Sequence, residues 1–170
     1  QMDLYIYYLS SNFNDNNNKL SSMASKALGD ILRILQKLLM NTPNHAEREF
    51  FISSHIIQSI TNLLNHRTSP LLQETLTLLL YMTDKLEFYI EEFFKSETIE
   101  YLFHLLEYKD LETIQLSLHL MATFLSYSEI RQYIPYIPND FLYTFTSYLS
   151  HNNVKVLEHA IWCLTNCADN

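Results

Sequence analysis

The chain has 170 residues, of which 48% are hydrophobic, and it carries nineteen acids against eleven bases. A net charge of −8 without a basic cluster excludes a counter-surface for a phosphate backbone, so no nucleic-acid partner is expected. Gly29 is the single glycine, which excludes folds built on glycine turns, such as dinucleotide-binding sheets, phosphate loops and most all-β sandwiches, and leaves an all-α protein.

Read from its start, Gln1-Met2-Asp3-Leu4 has no basic leader character, and no run reaches the apolar length of a membrane helix. Asp3–Ser10 reads as a helix, and the asparagine-rich stretch 11–19 as a polar loop too poor in apolar residues to pack. A long helix follows over Ser21–Met40. Asn41-Thr42-Pro43-Asn44 stops it, because the residue before proline avoids the α region. Helices are then predicted over Glu47–Ser53, His55–Leu64 and Leu71–Thr83, the last opened by Thr68-Ser69-Pro70. Leu86–Phe94, Glu97–Tyr108 and Glu112–Ser126 form a second set. Glu129–Tyr136, Asp140–Ser150 and Val154–Ala168 form a third, with Ser96-Glu97 and Asn139-Asp140 placed to cap middle helices.

These sets repeat. Phe51, Phe93 and Tyr136 are 42 and 43 residues apart, and Leu64, Leu106 and Leu149 keep the same steps. Leu78, Leu120 and Trp162 are spaced 42 and 42. A period in the low forties with three helices per unit resembles armadillo repeats, whereas shorter-period helical repeats do not fit. The expected architecture is a right-handed α-solenoid, an armadillo-like superhelix of about three and a half three-helix repeats. It is read as one domain over 1–170, with units at about 2–41, 45–84, 86–127 and 128–170. Armadillo units usually place glycine before the second helix; Ser54, Glu97 or Asn139 stand near that place here.

The closing stretch Val156–Ala168 puts Trp162 and Asn166 four residues apart on one helix face. It resembles the third helix of an armadillo repeat, most closely those of importin-alpha nuclear-transport adaptors. The resemblance implies that Trp162, Asn166 and, one turn further, Asn170 line an inner groove. There an indole takes the aliphatic stem of Lys or Arg and asparagine bonds an extended peptide backbone. It further implies a protein or peptide partner such as a basic nuclear localisation signal. On the 42-residue step, Leu78 and Leu120 stand in for Trp162, and Met82 and Phe124 for Asn166. Those four residues either adapt the groove to an apolar or helical ligand or are covered by packing.

The acids concentrate between Asp84 and Glu112, where nine face three lysines: a solvated face, or an attraction for a basic partner. Cys163 and Cys167, four apart on one helix, read as reduced thiols of an intracellular protein, cytoplasmic or nuclear. With His159 they are metal-ligand types, but no second short-spaced pair completes a site, so no metal or cofactor is expected. No nucleophile elbow, phosphate loop or His-Glu-x-x-His motif is present, and an enzyme is not expected. Tyr127, Tyr133, Tyr136, Tyr143 and Tyr148 read as edge-of-core packing or an interface. Self-association through the terminal repeat is a further expectation, and the alternative to a peptide-binding scaffold is a structural helical-repeat segment of a larger regulatory or cytoskeletal assembly that binds a helix or another subunit through the apolar groove or the tyrosines.

Overall fold

The structure, a computed structural model, describes residues 18–42, 54–66, 68–85, 90–95, 97–127 and 140–169. Among these residues there are eight α-helices and no strand. They are α1 (Asn18–Asn41), α2 (Ser54–Asn62), α3 (Ser69–Lys85), α4 (Ile90–Lys95), α5 (Thr98–Leu106), α6 (Leu111–Leu125), α7 (Phe141–Ser147) and α8 (Val154–Asp169). The expected helices Asp3–Ser10, Glu47–Ser53 and Glu129–Tyr136 lie outside the described residues, as do Asn170, Tyr133 and Tyr136. Helix α1 begins at Asn18, so the expected polar stretch 11–19 gives way to helix two residues early. No described helix is long and apolar enough to cross a membrane.

The chain divides into two compact units, Gln1–Tyr81 and Met82–Asn170. In the first, α1 buries Leu28, Leu32, Leu35 and Leu39, a stripe at helical spacing. The Thr42 hydroxyl donates to the Leu38 carbonyl at its C-terminal end, where an unpaired carbonyl would otherwise remain. Helix α2 tightens into a 3-10 turn over Leu63–Asn65 and buries Ile57, Ile60 and Leu63. Helix α3 carries Pro70 in its first turn, where the missing amide is no loss. Its buried Thr75 returns its hydroxyl to the Leu71 carbonyl at 2.7 Å.

In the second unit α6 and α8 pack most extensively on each other, and α5 packs on α6. Phe124 of α6 is fully buried and meets Phe93 and Phe94 of α4 in tilted ring pairs at 5.8 and 5.3 Å. Both long helices start on an acceptor side chain. Asp110 accepts from the Thr113 amide at 2.9 Å and from its hydroxyl at 2.6 Å. Asn153 accepts from the Val156 amide at 3.2 Å, and the same oxygen takes the Gln115 side chain of α6 at 3.1 Å. Two of the tyrosines singled out by sequence reach back one repeat and donate to backbone carbonyls: Tyr127 to Thr83 at 2.8 Å, and Tyr148 to Leu106.

Candidate functional site: the exposed face of the last two long helices

The long helices α3, α6 and α8 begin at Ser69, Leu111 and Val154, so the step is 42 residues and then 43. The capping pair keeps the second step, since Asp110 and Asn153 are also 43 apart. Leu78 and Leu120 therefore correspond to Cys163, and Met82 and Phe124 to Cys167; the residues that correspond to Trp162 are Thr77 and His119. One residue on a helix is a rotation of about 100°, enough to exchange the buried face for the exposed one.

This corrects the expected groove strip. Leu78, Met82, Leu120 and Phe124 are core, each with 1% or less of its surface exposed, and they offer nothing to a partner. Cys163 is likewise fully buried, with its thiol directed at the Leu118 carbonyl. Burial pushes the Cys163 thiol strongly up and that of Cys167 up to about 11, so neither is a thiolate near neutrality. Among the described residues no group of three His, Cys, Asp or Glu could hold a metal ion.

Trp162 behaves differently. It keeps 39% of its surface exposed, and its ring lies 5.7 Å from that of His119, tilted by 46°. His119 in turn stacks on His159 at 4.6 Å with the planes only 14° apart. Burial holds the His119 imidazole below its ordinary value. Burial does the same to His159, followed by the neighbouring His119; Lys155 adds to the depression, while Glu158 and the Gln115 backbone oppose it. Both imidazoles lie below their ordinary value and two parallel rings at this distance repel when both are charged, so the neutral forms predominate at pH 7. One turn on, the Asn166 amide nitrogen donates to the Ala122 carbonyl of α6 at 2.8 Å. That bond fixes the plane of the amide.

The surface thus joins Trp162, His119 and Asn166, with His159 supporting the histidine from beneath. Of these, the sequence had pointed to Trp162 and Asn166. The 42-residue step pairs Trp162 with Leu120 and so passes over His119, its neighbour in the chain.

No protein-family model matches the chain, and no curated protein matches it. Solved structures do. An engineered protein from a structural-genomics consortium aligns with 96% of this chain at 18% identity and a TM-score of 0.67, and this chain spans 62% of it. A designed armadillo repeat protein in complex with the peptide (KR)4 aligns with 95% of this chain at 14% identity and a TM-score of 0.58, over 81% of its own length. A crystal structure of computationally designed armadillo repeat proteins for modular peptide recognition aligns with 99% at 15% identity and a TM-score of 0.56, over 82% of its length. The chain spans under two thirds of the first of these. Identities this low establish the fold alone: an armadillo-like α-solenoid.

Proposed function

We propose that this chain is a non-enzymatic scaffold that binds an extended segment of a partner protein across α6 and α8. The division into four repeat units, read from the period, belongs to the same proposal. The observation that carries it is Trp162, a large aromatic left partly open, tilted against His119 and one turn from an anchored Asn166. An indole beside a neutral imidazole makes a slot for an aliphatic stem, and the amide fixed on α6 can address a peptide backbone. Charge favours a basic segment. Residues 1–81 hold six acids and six bases, so the excess of eight acids belongs to residues 82–170, with thirteen acids and five bases. One of the similar designed proteins is described in complex with (KR)4. The importin-alpha-like adaptor version of this reading rests on Trp162 and Asn166.

A basic nuclear-localisation peptide titrated against the full chain should quench or shift the fluorescence of Trp162, the single tryptophan. The Trp162→Ala/Asn166→Ala variant should bind at least roughly tenfold more weakly, on the scale of a lost interface anchor. Equal affinity for the variant and the parent chain would overturn the adaptor version. Binding of an acidic peptide of the same length with equal strength would overturn the preference for a basic segment.

A second observation favours self-association. Ile161, Leu142 and Leu149 are 48%, 48% and 43% exposed, whereas their counterparts one repeat earlier, Leu118, Ile99 and Leu106, are 0%, 4% and 2% exposed. An apolar face of that kind suits a second copy of the chain or another helical subunit. Light scattering should show mass rising with concentration, and Ile161→Glu should return the chain to a monomer. A parent chain that stays monomeric throughout excludes the second copy.

A further inference from the structure

A cleft of about 510 Å³ opens in the first unit between α1 and the start of α3. That is within the range of roughly 300–1,000 Å³ in which small ligands are held. Ser25, Lys26, Gly29 and Arg33 line it from one face of α1, and Leu71 and Glu74 line it from α3. Three features of this lining are unusual for a passive groove.

Gly29 is the first. The only glycine of the chain sits mid-helix, where it costs about 1 kcal/mol relative to alanine. Packing among the described residues does not require it: of these, a methyl group added there would meet only the Arg33 Nη2, at 3.9 Å. Gly29 itself lines the cleft. The second feature is the Ser25 hydroxyl, whose oxygen is buried with no hydrogen-bond partner among the described residues. Such groups are normally satisfied, by protein or by something bound. The third is the charge arrangement. Arg33 is held in place by Glu74 at 2.7 Å and by Asp30 at 3.0 Å, while Lys26 makes no ion pair among the described residues. Arg33 is thus matched by two carboxylates, which leaves Lys26 as the cation of the lining that can meet a ligand, beside an apolar wall that includes Leu71.

We infer that this cleft binds a carboxylate on a short aliphatic stem, presented by a peptide. Lys26 supplies the counter-charge, Ser25 donates its hydroxyl, and the space left at Gly29 admits the stem. Two sources share this chemistry: an aspartate or glutamate side chain, and a peptide C-terminus. The site is separate from Trp162 and does not depend on the reading given to that residue.

The test is a nitrogen-15 titration of the full chain, in which the amide of Gly29 is the only glycine signal. Butyrate should shift that signal to saturation and isosteric butyramide should not. Acetyl-Ala-Glu-Ala-amide and acetyl-Ala-Ala-Ala with a free carboxyl terminus separate the side-chain source from the C-terminal one, and a saturable response to either supports the site. Lys26→Gln should retain the melting temperature and weaken binding by roughly three- to tenfold, the range of a lost partly exposed charge contact. Gly29→Ala should raise the melting temperature and still weaken binding, a combination that a purely structural glycine would not give. Equal responses to butyrate and butyramide, or unchanged binding in Lys26→Gln, overturn the proposal.

Discussion

Helices α6 and α8 occupy the same place in successive repeats, begin on the same kind of cap and keep the same inward face. They differ on the next face round. On α6 it is sealed, with Leu118, Met121 and Leu125 buried; on α8 the residues in register with Leu118 and Leu125, Ile161 and Ala168, are exposed. A solenoid residue is thus core or surface according to what stacks on its repeat. The amino acid alone does not decide it, and equal hydrophobicity at equivalent positions carries unequal energy.

Matched substitutions along the two helices put numbers on that contrast. The largest gap is expected between Leu118→Glu and Ile161→Glu. The first buries an unpaired carboxylate and should prevent folding of the second unit, a penalty of several kcal/mol. The second should cost under about 0.5 kcal/mol, as surface changes do. Urea unfolding followed by circular dichroism measures both, and similar losses would break the comparison. Next comes Phe124→Ala, which empties a site packed by two other phenylalanines and should cost about 3–5 kcal/mol. Cys167→Ala, its counterpart on half-buried α8, should cost about 1 kcal/mol or less.

The caps should reverse the order by a smaller margin. Asp110→Ala removes the bonds that cap α6 at the Thr113 amide and hydroxyl, for about 1 kcal/mol. Asn153→Ala removes a cap and also the Gln115 tie, and should cost a few tenths of a kcal/mol more. The smallest effect is that of pH. The folded state lowers the affinity of His119 and His159 for protons, so the unfolded chain binds more of them. Their contribution is therefore complete above the ordinary histidine value and is lost as pH falls through the depressed folded values. Stability should decline on acidification from pH 7, and Trp162 emission should fall as the adjacent imidazole is protonated. His119→Gln should flatten the fluorescence curve; an unchanged curve would show that the indole does not sense this ring.

Much of this fold was legible. Pro43 and Pro70 punctuate helices as their ring chemistry requires, and the apolar period located the long helices to within about three residues. The register between the last two repeats was lost at one position. Leu120 and Trp162 are both large and apolar, so side-chain type paired them, although they lie about 100° apart around the helix. Polar residues would have given the true step, because a cap works at only one position: Asp110 and Asn153 are separated by 43. Trp162 and Asn166 were legible as a pair at helical spacing, but the stacked histidines were not. His119 and His159 lie on different helices, and only packing brings their rings together. The cleft of the first unit left one trace in the sequence, the solitary glycine at position 29.

The shared oxygen of Asn153 has a consequence for motion. It holds the first turn of α8 and the flank of α6 at once, so α6 cannot fray past Gln115 without loosening the start of its neighbour. Opening that begins on either helix should be transmitted to the other, and hydrogen exchange is expected to find the amides of the pair opening together. A surface carried by both helices, as Trp162, His119 and Asn166 are, then appears and disappears as a whole.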